Sequence, residues 1–372
     1  MNFALSDEHI LLRDSAANFL SQETDHSALL VPGATVDAAN YPENWHKVVQ
    51  MGWPSLIVPE DHGGAGLGCV DLSVIVMELG RALFSSPFAG HTFGTWAMLA
   101  AGSITQQERW LPVAASGAVQ LALVPPMDAN QVTAKGNMLQ GSHDFVVDGK
   151  SAQCLVVAAA DQLGWGFYLV DTNQPGVDIQ LQPWRDITRQ VCRVSFDQAS
   201  AEPMGRRVEV AWPNILDLIA CYQAAENVGG MRQVLEDSVA YANERMAFGR
   251  PIGAYQAIKH PLAEMLGELE SANAASLFAA WALQSGDERG SSAASMAKSY
   301  SSDAYTKATH RNIQIFGAIG FTWEMKNHLY YKRARGNAEL FGSARMHRNH
   351  VVNQATARIW SEPFSAECGR VA

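Results

Sequence analysis

Cysteine is scarce in this chain, and the cysteines that it has are not arranged in pairs. Five occur among 372 residues, and they are Cys69, Cys154, Cys192, Cys221 and Cys368. The number is odd, the residues lie far apart, and no C-x-x-C sequence is present. A disulfide framework or a zinc site needs paired or closely spaced ligands. We therefore predict a reducing compartment, the cytoplasm, and no bound metal.

Positive charge and long apolar runs are scarce as well. Lysine and arginine number 27 against 37 acidic residues, which gives a net charge of -10. Because the basic residues are also scattered, nucleic acid is not expected as a partner. No window approaches the roughly 18 uninterrupted apolar residues of a membrane-spanning helix. Asp7 and Glu8 precede any apolar run, unlike in a secretory signal, so the sequence is typical of a soluble intracellular protein.

Three stretches of different hydrophobic pattern follow one another. Residues 1–117 show helical spacing, with Ser6 as a predicted N-cap. Residues 118–210 hold short alternating runs separated by Gly, Asp and Pro, as in strands and turns. Residues 211–372 predict four long helices, at 215–243, 255–284, 290–319 and 324–359. The predicted fold class is α+β multidomain: an N-terminal α-helical domain, a central antiparallel β-barrel or sandwich, and a C-terminal four-helix bundle.

Two segments of the third stretch place ligand-binding residue types at the ends of predicted helices. Residues 244–256 read ERMAFGRPIGAYQ, and residues 314–324 read QIFGAIGFTWE. An arginine offers a planar fork of donors to a phosphate, and glycines let a ligand approach the backbone closely. The candidate cofactor contacts are Arg245, Phe248, Gln256, Gln314, Phe316, Gly317 and Gly320. Taken singly, each segment is also compatible with an ordinary helix end.

Together these segments resemble the R-x-x-F-G and Q-[IVL]-x-G-[GA]-x-G-[FY] motifs of the acyl-CoA dehydrogenase family. Residues 2–19, the glycine loop at 59–68, Glu78-Leu-Gly-Arg81 and Trp110-Leu-Pro112 resemble that family too. The resemblance implies FAD as cofactor, an acyl-CoA thioester as substrate and an electron-transferring flavoprotein as acceptor. In the family's tetramers each FAD lies across a dimer interface, and these two motifs serve the flavin of the neighbouring subunit.

The positions that hold the family's catalytic base carry other residues here. The glutamate of the usual Y-E-G-T segment corresponds to Gly342. A third subgroup has an acid just after the glycine of this final segment, and that position corresponds to Ser343. The alternative base, near the start of the first long C-terminal helix, corresponds to Ile219. The flavin-facing W-[IV]-[ST] and T-E-P segments correspond to residues 145–147 and 124–126, which read FVV and VPP. The resemblance therefore implies that the base and both hydroxyls are lost.

These losses lead to the hypothesis of a non-catalytic subunit. Such a chain would complete the FAD site of a catalytic paralogue in an α2β2 heterotetramer, similar to those of bacterial steroid side-chain degradation. One alternative is an active homo-oligomeric dehydrogenase with a displaced base. The candidates for that base are Glu339, a weak one that lies one helical turn before Gly342, and Asp217, which points roughly 200° away from Ile219 on a regular helix. The other alternative is a flavin-free scaffold.

Two histidines near the end of the sequence have a spacing that metal ligands can have. His347 and His350 lie about one helical turn apart, a spacing that two ligands of one metal ion can have. The sequence nearby offers no third ligand, so a solvated helix face is the preferred interpretation.

Overall fold

We describe the protein from a computed structural model, which describes residues 5–126 and 132–361, with side chains as far as residue 356. Cys368 lies outside these residues, and the other four cysteines are free thiols. Within the described ranges, none of the helices is both long enough and apolar enough to cross a membrane.

Five α-helices form the described part of the first region. They are α1 (Asp7–Glu23), α2 (Tyr41–Gln50), α3 (Cys69–Ala82), α4 (Phe88–Ala101) and α5 (Ile104–Ala115). The Ser6 hydroxyl accepts a hydrogen bond from the backbone N–H of His9 at 3.3 Å, so Ser6 caps α1 as predicted. Almost every residue of α4 is buried, which places this helix at the centre of the region.

Eight strands of the described chain form one sheet. They are β1 (Leu121–Val124), β2 (Thr133–Lys135), β3 (Met138–Val147), β4 (Cys154–Asp161), β5 (Gly164–Asp171), β6 (Val177–Leu181), β7 (Val191–Ser200) and β8 (Glu202–Arg207). The hydrogen-bonded order is β6-β7-β3-β2-β4-β5-β8, and β1 pairs with β4. Most pairs are antiparallel as predicted, but β4 runs parallel to β1 and, through Thr133 and Ala160, to β2. Inward-facing side chains of these strands enclose a hydrophobic core of their own.

Long helices form the third region. They are α6 (Val208–Glu244), α7 (Gln256–Ser285), α8 (Gly290–Phe316), α9 (Asn327–Glu339) and α10 (Ala344–Ser361), and a short hairpin of β9 (Met246–Ala247) and β10 (Arg250–Pro251) lies between α6 and α7. The prediction of one fourth helix over 324–359 is wrong. Residues 340–343 separate α9 from α10, because Phe341 and Gly342 have φ values of 57° and 107°, outside the right-handed helical region.

The first and third regions are joined by α6. This helix packs against α3 and α4 of the first region and against α7, α8 and α9 of its own. The approach to α3 is so close that a β-carbon on Gly229 would lie 1.7 Å from the backbone oxygen of Met77. Its first residues follow β8 directly, so the predicted domain boundary at residue 210 falls inside this helix.

Candidate functional site

A cavity of about 460 Å³ opens between the sheet and the C-terminal helices. The residues that line it are Pro125, Pro126, His143, Phe145, Trp184, Trp212, Leu216, Glu339, Leu340, Phe341, Gly342 and Met346. The structure thus brings together both predicted flavin-facing stretches, the predicted base position and the displaced-base candidate. Of the described residues in this wall, none has a hydroxyl side chain, and only His143 and Glu339 carry an ionisable side chain.

The base position lies in the linker of residues 340–343. Gly342 carries no side chain, and shifting the correspondence by one residue would put Phe341 there instead. The backbone oxygen of Phe341 lies 3.2 Å from Nε2 of His347, and this contact ties the linker to α10. No residue of the linker is an acid. Neither correspondence therefore supplies a carboxylate at this point of the cavity.

The second base position and its acidic neighbour face other parts of the molecule. Ile219 is fully buried in the main hydrophobic core. Asp217 lies against α8 and α10, where burial raises the pKa of its carboxyl group and a hydrogen bond with Ser291 opposes that rise. Ser291 in turn lies 3.0 Å from Nε2 of His350. Leu216 reaches the cavity, whereas Asp217 is not part of its wall.

Glu339 is the one acid of the cavity wall within the described chain. It is the last residue of α9, and its side chain is exposed. A carboxylate that removes a carbon-bound proton is normally held in a dry pocket, because desolvation makes it more basic. An exposed position does not provide that desolvation.

His143 was not singled out by the sequence, although its environment is unusual. The side chain is only 2% exposed, and its Nδ1 accepts a hydrogen bond from the backbone N–H of Phe145 at 3.1 Å. Burial lowers the pKa of His143 to about 4, and the nearby Asp144 opposes this only in part. The ring is therefore neutral at pH 7. His143 and Phe145 both line the cavity, but the pairing of β3 with β7 is irregular between His143 and Val146, so their spacing in the sequence did not indicate a shared face.

The R-x-x-F-G segment forms a short projection between α6 and α7, which we call the arm (residues 245–255). Arg245 ends α6, and within the described chain it forms no ion pair closer than 4.0 Å. Phe248 has a φ of 51° and is 96% exposed. The hydroxyl of Tyr255 donates to the backbone oxygen of Ala247 at 3.0 Å, which holds the arm closed. Arg245 and Phe248 are therefore exposed, whereas the guanidinium group of Arg250 lies over the ring of Tyr255 within the arm, 4.1 Å from its centroid.

The second motif lies beside the base of the arm. The ring of Phe316, at the end of α8, stacks on Tyr241 of α6 with 4.1 Å between ring centroids. Phe316 is thus buried, and its ring packs inside the chain, unlike that of Phe248. Gln314 and Gly317 are exposed, and a β-carbon on Gly317 would meet no atom within 4 Å. A ligand could therefore approach the backbone at this glycine.

The two remaining predicted contacts are Gln256 and Gly320. Gln256 is exposed at the first position of α7, directly after the arm. Gly320 is buried, and a β-carbon there would lie 2.8 Å from that of Phe316, so it serves close packing. None of the seven predicted cofactor contacts is among the described residues that line the cavity. In one chain, the predicted site therefore falls into two separate places.

A buried charge network holds the end of α9 beside the cavity. Arg333 of α9 pairs with Glu226 of α6 at 2.9 Å and with Asp186 at 2.6 Å. Glu226 also accepts from Arg189 at 2.5 Å and from the side-chain amide of Asn337 at 2.7 Å. Burial would raise the pKa of Glu226, but the two arginines outweigh that effect and lower it to about 2. The network joins α6, α9 and the segment before β7, and so positions the linker.

The two histidines considered for a metal have separate partners. Both ring nitrogens of His347 are engaged, Nδ1 with the hydroxyl of Ser295 at 3.1 Å and Nε2 with the linker backbone. His350 is exposed beside Ser291. Among the residues with described positions, no group of three or more His, Cys, Asp and Glu side chains is arranged for a metal ion.

Comparison with known proteins defines the class. Residues 6–118 match the family described as acyl-CoA dehydrogenase, N-terminal domain, and residues 215–356 match acyl-CoA dehydrogenase, C-terminal domain. The chain therefore belongs to the acyl-CoA dehydrogenase family of FAD-dependent oxidoreductases. Among its relatives, the acyl-CoA dehydrogenase IpdE2 of Mycobacterium tuberculosis is 32% identical over 359 residues, which cover 96% of this chain and 99% of that protein.

Solved structures share the fold. The Tcur3481-Tcur3483 steroid ACAD has a TM-score of 0.84 at 22% identity, covering 95% of this chain and 99% of the other. A chain of the ChsE4-ChsE5 complex from Mycobacterium tuberculosis has a TM-score of 0.84 at 21% identity, covering 98% and 100%. At these identities the likeness concerns the fold alone.

Proposed function

We propose that this chain is a non-catalytic subunit in the α,β-dehydrogenation of an acyl-CoA thioester. It completes the FAD site of a catalytic partner and has no base of its own. The observation that carries this proposal is the division of the predicted site into two places with different chemistry. The arm side keeps its cation, amide and open glycine, whereas the described residues of the cavity wall include neither a buried carboxylate nor a hydroxyl.

The cavity side is unsuited to the proton-transfer half of the reaction. Removing the α-proton of a thioester requires a carboxylate within reach of the carbon, in a setting that raises its basicity. The linker offers Phe341 and Gly342 at that point, and the α6 position offers the fully buried Ile219. When bound, FAD supplies the acceptor for the β-hydrogen. It does not replace the missing base.

The arm side fits the diphosphate part of FAD. The guanidinium group of Arg245 is exposed and unpaired within the described chain, so its donors are available to an anion. Gln314 and the backbone at Gly317 are also exposed. The stack of Phe316 on Tyr241 holds this segment against α6, one helical turn before Arg245. Because these groups face outward, the flavin that they contact would be held mainly by another subunit.

The further features of the proposal come from the family and its relatives. We propose an α2β2 heterotetramer with a catalytic paralogue, an electron-transferring flavoprotein as acceptor and a cytoplasmic location. A steroid-derived acyl-CoA is the proposed substrate, since a steroid ACAD and the two-component ChsE4-ChsE5 complex have the same fold. The apolar cavity is consistent with a bulky acyl group.

Flavin content tests the division of the site. The chain is purified alone and together with a catalytic paralogue encoded beside it, and the flavin absorbance per chain is measured. We expect almost no flavin in the lone chain and about one FAD per two chains in the complex. Arg245→Gln in this chain should lower the flavin content of the complex, whereas Arg206→Gln, at an exposed arginine of β8, should not. One FAD per chain in the lone protein would contradict the proposal.

One observation favours a second candidate function, an active dehydrogenase that uses Glu339. This glutamate is the acid of the described cavity wall. If the lone chain turns over an acyl-CoA with a dye acceptor, Glu339→Gln should abolish turnover, and Glu324→Gln, at an exposed glutamate outside the cavity wall, should leave it unchanged. If no partner brings flavin to the chain, the scaffold alternative is favoured instead.

A further inference from the structure

A second cavity, of about 610 Å³, lies outside the site described above. Its wall is formed by residues from 34–37, from 181–189 at the end of β6 and after it, and from 321–332. Trp184 is the only described residue that lines both cavities, and none of the seven predicted cofactor contacts is among the described residues of the second. Its volume lies within the range of small-molecule sites. The chain thus has a second place, apart from the proposed flavin contacts, where a small molecule can fit.

Aromatic rings form much of this wall and keep accessible surface. They are Trp184, Phe321, Trp323 and Tyr331, of which Phe321 is 58% exposed and the other three are half-buried. The rings of Phe321 and Tyr331 meet edge to face, with 6.0 Å between their centroids. Because aromatic rings pack well against other flat rings, this wall favours a planar aromatic molecule over a flexible chain.

Two basic side chains of the same wall form no ion pair. Arg185 is exposed and Lys332 is half-buried, and within the described chain neither has a carboxylate oxygen closer than 4.0 Å. The Nζ atom of Lys332 lies 4.7 Å from the ring centroid of Trp323, so this cation lies on the aromatic surface. Burial lowers the pKa of Lys332, and the charge of Asp186 opposes this only in part. Asp186 itself pairs with Arg333 at 2.6 Å, so an anion beside Lys332 would supply charge compensation that the chain does not.

The other charged groups of the wall leave this excess of positive charge in place. Arg189 is buried, and its guanidinium group donates to Glu226 and Asn337. Asp37 is the one acid of the described wall; it is exposed and accepts from the hydroxyl of Thr35 at 3.5 Å. Two unpaired cations are thus present with one acid, in a chain whose net charge is -10. The cavity therefore favours an anion over a neutral or cationic molecule.

We propose that the second cavity binds a planar aromatic anion. Its ring packs on Trp184, Trp323 and Tyr331, and its carboxylate or phosphate group pairs with Arg185 and Lys332. Charged hydrogen bonds from arginine and lysine are the usual protein contacts of both kinds of anion. The inference does not rest on the proposed function, because the proposed flavin contacts lie elsewhere in the chain.

Two pairs of compounds, each with a charged and a neutral member, test this assignment. 2-Naphthoate is compared with 2-naphthalenemethanol, and adenosine monophosphate with adenosine, by calorimetric titration of the full-length chain. Within a pair, the ratio of the two affinities cancels the shared ring contacts. We expect Lys332→Gln and Arg185→Gln each to lower this ratio roughly 10- to 150-fold, the effect of one hydrogen bond to a charged group. Arg335→Gln, at an exposed arginine of α9 outside the described wall, should leave it unchanged.

The aromatic wall is tested separately with Phe321→Ala, which should weaken both members of a pair by a similar factor and so keep their ratio. Thermal midpoints without ligand show whether each variant is folded. Tighter binding of adenosine monophosphate than of 2-naphthoate assigns a nucleotide as the ligand, and the reverse order assigns an aromatic carboxylate. The inference is overturned if neither anion binds at millimolar concentration, or if the charged and neutral members bind equally. It is also overturned if folded Lys332→Gln and Arg185→Gln keep the ratio of the unchanged protein, since the compounds then bind elsewhere.

Discussion

The exposure of Phe248 on the arm leads to the strongest prediction about assembly with a partner. Phe248 is 96% exposed, and its closest ring neighbour, Tyr255, is 6.5 Å away between centroids. Phe248→Ala therefore removes little from the lone chain, and its thermal midpoint should stay unchanged. If the arm inserts into a partner, burial of the phenylalanine contributes about 1.5–3 kcal/mol to assembly. The dissociation constant should then rise roughly 10- to 150-fold.

The measurement is the concentration dependence of assembly with the catalytic paralogue, followed by sedimentation and by flavin per chain. Leu163→Ala is the matched control, because Leu163 is 87% exposed in the turn between β4 and β5. This control should change neither quantity. Equal dissociation constants for Phe248→Ala and the unchanged protein would refute the insertion of the arm. An equally large rise of the dissociation constant in Leu163→Ala would refute it as well.

Three further predictions concern the structure around the cavity. Glu226→Gln should lower the free energy of unfolding, measured by urea denaturation, by about 3–5 kcal/mol, because it leaves buried arginines with less counter-charge. The control Glu236→Gln, in an exposed ion pair on the same helix, should lower it by less than about 1 kcal/mol. The pKa of Glu226 is about 2 in the folded chain and ordinarily 4.5. The contribution of its carboxylate to stability should therefore be complete above pH 4.5 and disappear as the pH falls toward 2. In thermal melts across that range, the melting temperature of the unchanged protein should fall more steeply with pH than that of Glu226→Gln. Gly342→Ala should lower the free energy of unfolding by about 1–3 kcal/mol, because φ is 107° and a β-carbon would lie 2.0 Å from the terminal methyl carbon of Met346. The control Gly286→Ala should lower it by less, because φ is 68° there and a β-carbon would meet no atom within 4 Å.

Sequence patterns predicted the helices well and their interruption badly. Gly336 and Gly342 are the same residue type in one continuous helical pattern, yet α9 runs through the first and ends before the second. Gly336 packs beside Trp184, whereas the segment around Gly342 is held by Met346 and His347 of α10. These contacts come from other turns and other elements. Local periodicity therefore could not indicate which glycine breaks the helix.

The acids show the same division between local and long-range information. Spacing along the chain named both Asp217 and Glu339 as displaced-base candidates. The structure places Glu339 in the cavity wall and Asp217 beside Ser291. His143 escaped notice, because a single histidine in a strand is uninformative until the acceptor for each ring nitrogen is known.

The sequence by itself determined the family, the order of the three regions and the chemistry of the arm. Those features depend on residues near each other in the chain: caps, periodic apolar positions, and motifs read over a dozen residues. Only the tertiary structure decided that the arm and the cavity lie apart and that the cavity wall has no hydroxyl among its described residues. That wall combines Pro125, Phe145, Trp212 and Gly342, which are brought together by packing across three regions. Such contacts follow from the burial of whole faces, and no local pattern encodes them.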